Sequence, residues 1–530
     1  MEFFSSANPA SLLLRVAFLA TLAWTAIRYF RKKERLPDVE FLRASNKPGK
    51  AGGPEDVQAF LDDSLGTIMK GYNEYSKQDK HFLLRTPRQV YFIAAPKFLD
   101  EIRKMPDTQL SQPAAANIIF QVKHNFHPQL EADNYHFNVV RGKMTQGLSQ
   151  YLPDLASEAV HGFDIEVGDG SQWRELEVWG LVSKLVTRMT NKMLVGSPLC
   201  RNEEYLQLSC DIAPTVFDTA VKIRNYPDFV KTIMMYFMRT KEEQLRVARK
   251  HLLPLIKGRL SLLNSDTSAD EAGEKPKDTL QWLLDMTPPA KRDPEIIMQR
   301  LLHINVNAIH APAYTLTECM FDLCRHPEIH EELRAEIDSV LGSNSNWTRE
   351  NLDRLVKLDS FIRESSRLTP ISAVKMERLA VKDIHLSDGT LIPAGTSVGV
   401  IAHGRHIDED IIPNARTFDA FRYAKLRASS GTGVTEKTKT QTQTDEFTFA
   451  QASSENMLFG LGRHACPGRQ FASALCKVFL ICVLVRYDVK FLEGRPMPQG
   501  KWTQKFRNAD HTATIGWKRR KSSGFPGILE

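Results

Sequence analysis

The 530 residues include only seven cysteines, which form no CxxC pair and follow no regular spacing. This scarcity argues against a disulfide framework and against a zinc site made of cysteine pairs. Reduced thiols in a cytosolic setting fit the pattern better than an oxidising compartment does. No repeat of fixed period is evident, so the pattern typical of repeat proteins is missing as well.

Excess charge is also small, since the net charge is +7 for a chain of this length. An ordinary solvated surface explains such a balance, and a basic face for an acidic protein partner is the alternative. No motif in the sequence points to nucleic-acid binding, so we expect no nucleic-acid partner. The hydrophobic content of 42% is enough for a large core. Length alone would suggest two or more domains.

A mostly apolar stretch, Leu12–Phe30, lies near the N-terminus, but Arg15 interrupts it. The uninterrupted run is short for a membrane span of ~20 residues, although an arginine near one end can extend its guanidinium to the interface. Basic residues follow, and such a cluster places the rest of a chain on the cytoplasmic side of a membrane. We therefore predict a single transmembrane anchor whose helix ends at Pro37. The basic residues are Arg28, Arg31, Lys32, Lys33 and Arg35.

Two alternatives to this anchor remain. A cleaved signal peptide would need a small-residue cleavage site, which is missing, and would carry its charge on the other flank. An amphipathic helix in the plane of the membrane is the second alternative. The predicted division is an anchor with its basic flank at residues 1–36 and a single domain at residues 37–530.

The pattern of the body predicts a mainly α domain with a small β region. Apolar residues at helical spacing predict most of the chain to be helical. Two extended segments, Val381–Leu386 and Leu391–Val400, flank a turn at Ser387-Asp388-Gly389. Two polar segments, Ser265–Lys277 and Arg427–Glu446, read as loop-like insertions within the domain. The clearest predicted helices are Tyr135–Gln150, Leu181–Val195, Lys241–Leu263, Asp278–Asp285, Pro294–Cys324 and Pro327–Leu341.

The segment Phe459–Ala472, FGLGRHACPGRQFA, places Cys466 in a glycine-rich loop. Glycines permit positive φ and a close approach of the backbone to a flat ligand, and Pro467 fixes the chain just after the sulfur. Backbone N–H groups that converge on the sulfur would stabilise its thiolate, which is the form that binds a metal. A buried free cysteine is the alternative interpretation.

The pattern F-x-x-G-x-H-x-C-x-G resembles the haem-binding loop of the cytochrome P-450 family, whose haem iron carries a cysteine thiolate. The matching residues are Phe459, Gly462, His464, Cys466 and Gly468. The resemblance implies the cytochrome P-450 fold, with a single haem domain behind the N-terminal anchor. It also implies haem b with Cys466 as the axial ligand and metal-binding residue, and with Phe459 and Gly460 beside the cofactor.

Two further motifs precede the loop in the family's order. Glu364 and Arg367 lie three residues apart in a predicted helix that runs from Leu358 to the break at Thr369-Pro370, so they can pair on one helix face. Arg422 lies within the aromatic-rich segment Phe418–Tyr423. By resemblance, Glu364, Arg367 and Arg422 form a buried charge triad that fixes the cysteine loop.

Haem propionates need cationic partners, and the resemblance assigns three residues to them. They are Arg141 in the helix Tyr135–Gln150, Arg378 just before the β region, and His464 in the loop. Phe137 stands four residues before Arg141, where the family often has tryptophan. Taken alone, Arg141 would equally well be a solvated helix residue.

The segment Asn307–Pro312 departs from the family's distal helix pattern. His310 stands at the position of the acid, and Ala311 at the position of the threonine. Pro312 lacks an N–H and clashes with the carbonyl of Ala308, which predicts a kink. We therefore assign catalytic roles to His310, Ala311 and Thr315, with His310 and water, or Thr315 one turn further along, replacing the missing hydroxyl.

The resemblance also implies partners and a reaction. Electrons would come from NADPH through NADPH-cytochrome P-450 reductase, whose acidic face would meet Arg463, Arg469 and Lys477. The loop looks most like those of membrane-bound fungal enzymes of specialised metabolism. This implies hydroxylation or oxidation of a lipophilic terpenoid or polyketide by O2 in the endoplasmic reticulum membrane, with the catalytic domain in the cytoplasm. Pro113–Phe120 and Ile371–Val374 are candidate pocket segments or ordinary core.

Two rival functions remain at this point. A haem-thiolate enzyme that rearranges, dehydrates or couples its substrate would insert no oxygen, and Ala311 and Pro312 favour it. A non-catalytic haem binder is the other rival. The agreement of the triad with the cysteine loop argues against it, because an unused site would have no reason to keep that agreement.

Overall fold

The computed structural model describes residue 21 and residues 35–264, 275–342, 346–430 and 445–521. Helices dominate it, and the strands gather into one five-stranded sheet and three smaller sheets. The predicted class, mainly α with a small β region, is confirmed.

Most helices of the N-terminal half contribute to one large apolar core, and the first three pack in two smaller apolar clusters. A π-helical turn at Val140–Met144 follows the seventh helix. The helices are α1 (Pro54–Asp62), α2 (Ser64–Glu74), α3 (Leu99–Lys104), α4 (Gln112–Phe120), α5 (Val122–Asn125), α6 (Pro128–Ala132), α7 (His136–Val139), α8 (Leu148–Glu166), α9 (Val178–Val195), α10 (Glu203–Ile223) and α11 (Asp228–Tyr236).

The helices of the C-terminal half complete the core and carry the candidate site. Short 3-10 turns connect several of them. These helices are α12 (Arg239–Asn264), α13 (Thr279–Met286), α14 (Pro294–Arg325), α15 (His330–Leu341), α16 (Arg349–Arg354), α17 (Val356–Leu368), α18 (Ala402–His406), α19 (Arg422–Ser430) and α20 (Arg469–Arg486).

Twelve short strands are present in the described residues. The largest sheet has the order β1-β2-β8-β5-β3, in which only the β2–β8 pair is parallel. The strands are β1 (Phe82–Arg85), β2 (Val90–Ile93), β3 (Leu110–Ser111), β4 (Arg174–Glu177), β5 (Val374–Ala380), β6 (Ile384–His385), β7 (Leu391–Ile392), β8 (Ser397–Ile401), β9 (Tyr487–Lys490), β10 (Lys501–Thr503), β11 (Phe506–Asn508) and β12 (Thr514–Arg519).

The long helix α14 crosses the core and is central to the site. Pro294 occupies its first turn, and the side chain of Asp293 accepts a hydrogen bond from the Glu295 N–H. Proline and a capping aspartate are the residues that favour a helix start. Most of the 32 side chains of α14 are buried. α20 is buried along almost its whole length and packs against α14.

Three predicted elements differ from the structure. The single helix Tyr135–Gln150 is divided into α7, the π turn and α8, with a turn at Gly147 where a glycine weakens the helix. Strand β5 begins at Val374, before the predicted β region, because its charged residues mask the alternation that marks a strand. Residues Arg427–Ser430 continue helix α19 rather than a loop.

Within the described ranges, no helix is both long enough and apolar enough to cross a membrane. Almost all of the predicted anchor lies outside the described residues. Residues 431–444 and 265–274, the greater part of the two predicted insertions, also lie outside them.

Candidate functional site

The predicted triad forms a buried ion cluster. Glu364 is fully buried on α17 and accepts two hydrogen bonds from Arg367, at 2.8 and 2.7 Å. The Nε atom of Arg422 lies 3.2 and 3.3 Å from the two oxygens of the same carboxylate. The backbone N–H of Asp419 adds a further bond of 3.0 Å. Because both arginines also donate to backbone carbonyls, the carboxylate fixes several chain segments at once.

Hydrogen bonds connect this triad to the cysteine loop. Arg367 donates to the carbonyl of His406, and the His406 ring accepts the N–H of Met457 at 3.3 Å. Within the loop, the Gly460 N–H donates to Met457, and the Cys466 N–H donates to Phe459 at 2.8 Å. The position of the sulfur therefore depends on α17 through a chain of backbone contacts.

Two glycines give the loop its shape. Gly460 has φ +74° and Gly462 has φ +72°, which is the left-handed region that glycine adopts without strain. A Cβ on Gly462 would stand 3.2 Å from the Cβ of Arg103. Gly468 has φ −91° and directly precedes α20. The ring of Phe459 packs edge-on against Phe449.

Burial raises the pKa of the Cys466 thiol. The N–H of Gly468 opposes that effect by donating to the sulfur, and the charges of Arg469 and Lys375 oppose it less strongly. These are the groups that favour a thiolate. All seven cysteines are free thiols.

The three residues assigned to the propionates lie around the turn at Arg463. His464 contacts Asp107 at 2.9 Å, and burial lowers its pKa. Arg141 is exposed on the π turn and lies 3.4 Å from the carbonyl of Arg463. Arg378 is buried on β5, and burial lowers its pKa to about 10. The structure thus brings these three residues together beside the cysteine loop.

One residue that was expected on the reductase-docking face is buried instead. Lys477 is 3% exposed and forms a 2.7 Å ion pair with Asp359 inside the protein, so it cannot meet a partner. Arg463 is exposed and Arg469 is half-buried. The prediction was wrong for Lys477 because α20 is buried on nearly all its faces.

The middle of α14 carries a narrow accessible stripe. Asn307 and Ala311 are exposed, and Ala308 and Thr315 are half-buried, although the helix around them is buried. Residues four apart share a helix face, so Asn307, Ala311 and Thr315 form one edge. Pro312 is buried, and α14 continues through it without interruption. Because proline has no N–H, the carbonyl of Ala308 loses its usual helical donor.

His310 points away from this stripe. Its Nε2 lies 3.1 Å from the carbonyl oxygen of Cys210 on α10, so this nitrogen carries the proton. Trp179 lies beside the ring and stacks on His511, which is exposed. Burial lowers the pKa of His310. Ala311 and Thr315 line the stripe, whereas His310 lies 100° around the helix from Ala311.

Sequence reasoning missed a buried polar cluster that joins α7 to α14. His136 Nε2 lies 3.1 Å from His303 Nδ1, and Arg300 donates to the other nitrogen of His136 at 3.0 Å. All three side chains are buried. Burial lowers the pKa of His303 to about 4 and holds that of His136 well below its usual value. Arg300 and His303 lie three residues apart on one helix face, which is the only signal in the sequence.

These residues fit a haem. Cys466 offers a sulfur that accepts the Gly468 N–H, and two arginines and a histidine gather at one side of the loop. Gly468 leaves room above α7 and the π turn, since a Cβ there would meet only Val140 at 3.6 Å. The donor set and the stripe of small residues on α14 define the class of haem-thiolate proteins.

Comparison with known proteins agrees with this class. The family model described as Cytochrome P450 matches residues 137–512. The protein named Cytochrome P450 monooxygenase 151, from Postia placenta, is 32% identical over 84% of this chain and 86% of its own length. Cytochrome P450 monooxygenase paxP of Penicillium paxilli is 32% identical, with coverage of 80% and 79%. Cytochrome P450 monooxygenase CYP512U6 of Ganoderma lucidum is 33% identical, with coverage of 80% of each chain.

The chain belongs to the cytochrome P450 family and is similar to its fungal members. It is an oxidoreductase that incorporates oxygen, and its cofactor is a haem with a cysteine thiolate ligand. Its electrons come from NADPH through a reductase, and its substrates are O2 and a lipophilic molecule. The non-catalytic alternative is therefore excluded.

Proposed function

We propose that Cys466 is the axial ligand of haem b and that the chain hydroxylates or oxidises a terpenoid or polyketide-like substrate. The observation that carries this proposal is the hydrogen-bonded connection from Glu364 and Arg367 to the Cys466 loop. A ligand held this way keeps its position while the metal changes state. When bound, the haem supplies the activation of oxygen, and the chain supplies binding, orientation and protons.

The remaining residues of the site take supporting roles in this proposal. Arg141, Arg378 and His464 pair with the haem propionates, and their common position beside Arg463 supports that role. Phe459 and Gly460 lie against the cofactor, next to the sulfur. Glu364, Arg367 and Arg422 position the loop and touch neither haem nor substrate.

The proposal also includes attachment to a membrane, where a lipophilic substrate would dissolve. Residues 1–36 anchor the domain of residues 37–530 to the endoplasmic reticulum membrane, with the domain in the cytoplasm. An exposed apolar face on α11 supports a membrane surface, because Phe229, Ile233 and Tyr236 are 68%, 57% and 86% exposed. Contiguous exposed apolar side chains mark sites of protein or membrane contact.

Proton delivery is the role proposed for the distal helix. Ala311 has no hydroxyl, so other groups must hold a water near the stripe and supply it with protons. His310 can carry a proton from the side of Trp179 and His511, and its bond to Cys210 sets its orientation. Thr315 offers the next hydroxyl on the same edge of α14.

The carbon monoxide difference spectrum of the reduced protein tests the central assignment. A thiolate-ligated haem gives a strongly red-shifted band, and we expect it in the wild type and not in Cys466→Ala. Cys476→Ala, a buried cysteine ten residues further on, is the matched control and should keep the band. A wild-type protein without the band, or a Cys466→Ala variant that keeps it, would refute the assignment.

Oxygen incorporation is the activity of the family, and the second candidate is an additional reaction of this chain on its own substrate that inserts no oxygen into the product. Ala311 in place of a hydroxyl-bearing residue favours it, as does the bond that holds His310 against α10. Turnover under oxygen-18 gas separates the two, because hydroxylation places the label in the product and a rearrangement, dehydration or coupling does not.

A further inference from the structure

Lys375 lies on β5 next to a β-bulge. Lys375 pairs with Val400 of β8, and Arg378 pairs with Val398, so β5 has one more residue than its partner between these pairs. Met376 in this interval has φ +58°, a left-handed value that a bulge permits. Residues three apart normally point to opposite faces of a sheet, but paired residues share a face. The bulge therefore turns Lys375 and Arg378 to the same face.

That face of the sheet is turned toward the cysteine loop. Val398 and Val400 belong to one apolar cluster together with Met457, just before the loop, and Leu461 within it. The charges of Lys375 and Cys466 lie close enough to affect each other's pKa. Lys375 is therefore a second cation, beside Arg378, on the wall of the haem cleft.

Lys375 has no partner among the described residues. Its side chain is half-buried between the buried neighbours Val374 and Met376, and it forms no ion pair or side-chain hydrogen bond there. The nearest carboxylate on the strand, that of Glu377, pairs with Lys505 and accepts a bond from Tyr91. Burial lowers the pKa of Lys375 more strongly than Glu377 and Cys466 raise it. An ammonium placed this way gains most from an anion that enters with a ligand.

We propose that Lys375 binds the carboxylate of a lipophilic acid substrate within the haem cleft. A carboxylate has two sources here, the substrate and the haem propionates. Arg141, Arg378 and His464 already offer three hydrogen-bond donors for two propionates. Lys375 is a fourth such group, and it differs from those three because it has no hydrogen-bond or ion-pair partner among the described residues. Because the two propionates already have three partners, we assign Lys375 to the carboxylate of the substrate.

The inference rests on the proposed function, since the pocket it describes is the haem pocket. Equilibrium dialysis of the full-length holoenzyme tests it with dodecanoic acid and its methyl ester, which differ mainly in charge. We expect the wild type to bind the acid at least tenfold tighter than the ester. Lys375→Met should abolish this preference, and Lys375→Arg should keep most of it. Lys382→Met, the same change at an exposed lysine, should leave the preference unchanged.

Two results would overturn the proposal. One is a wild type that binds the acid no better than the ester, and the other is a preference that survives in Lys375→Met. A haem-propionate role predicts instead that Lys375→Met loses haem faster to apomyoglobin while the preference stays, which contradicts the substrate assignment. The carbon monoxide band, recorded for each variant, separates these outcomes from a failure of the haem-thiolate assignment and verifies that each variant has folded.

Discussion

The two sides of the candidate haem site are built in opposite ways. On the side of the sulfur, the carboxylate of Glu364 accepts hydrogen bonds from two arginines and a backbone N–H, so this buried carboxylate is fully paired. On the opposite side, Arg300 donates hydrogen bonds to a carbonyl oxygen and to a histidine, and His310 donates to a carbonyl oxygen. The accessible stripe there contains Ala311. The side of Cys466 is therefore fixed in geometry by many hydrogen bonds. On the side of α14, where oxygen would bind, only a few contacts orient the side chains.

Removing Glu364 should have the largest effect. Glu364→Ala leaves the buried Arg367 and the half-buried Arg422 without their carboxylate, which costs on the order of 3–5 kcal/mol. We expect a large fall in the urea midpoint of unfolding and a loss of bound haem, measured as the pyridine haemochrome. A variant that is as stable as the wild type and keeps its haem would contradict the conclusion that Glu364 fixes the side of the sulfur.

The matched control is Glu243→Ala. Glu243 pairs with Arg246 at the same three-residue spacing on a helix, but both side chains are more than 60% exposed. Exposed pairs of this kind contribute little to stability because solvent and salt screen them. Its unfolding midpoint and haem content should match those of the wild type.

Acid should destabilise the distal cluster next. The pKa of His303 in the folded protein is about 4, below its ordinary value of 6.5. Between these two pH values, the unfolded chain binds a proton at this histidine and the folded protein does not. This contribution to stability is complete above pH 6.5 and is lost as the pH falls toward 4. For this histidine alone we expect about 2 kcal/mol less stability at pH 5 than at pH 7.

His303→Phe isolates that contribution, since Phe126 and Phe137 already surround the ring. The variant loses the bond to His136 at every pH, so its stability relative to the wild type should improve by about 2 kcal/mol between pH 7 and pH 5. Urea unfolding at the two pH values measures this difference. A gap between variant and wild type that does not change with pH would contradict the assignment.

A smaller effect should follow from a methyl group in the cysteine loop. Gly462→Ala adds left-handed strain of about 1–2 kcal/mol, and its Cβ would stand 3.2 Å from Arg103. Gly389→Ala is the control, because Gly389 has φ +88° and an open surrounding. We expect both to lower the thermal midpoint and only Gly462→Ala to lower haem content. Equal haem content in the two variants would mean that the loop tolerates displacement.

Local sequence patterns were sufficient for the ligand side. Glu364 and Arg367 are three residues apart, and the cysteine loop is a continuous segment, so their roles could be predicted without knowing the fold. The burial of Lys477 could not be predicted, because its partner Asp359 lies on another helix. His136 and His303 are 167 residues apart and meet only when α7 packs on α14. β5 was missed because Lys375, Glu377 and the bulge at Met376 interrupt its alternation.

The smallest effect, and the one that most sharpens the comparison, concerns the proton route. His310→Ala removes the ring, whereas His310→Asn can still donate an N–H to the Cys210 carbonyl but cannot carry a proton at neutral pH. If His310 delivers protons, both variants should form roughly tenfold less product per NADPH, equivalent to about 1.4 kcal/mol. Stability should fall in His310→Ala only. Adding Ala311→Thr to either variant should restore part of the coupling, because it places a hydroxyl on the stripe. Normal coupling in His310→Asn would instead give His310 a purely structural role against α10.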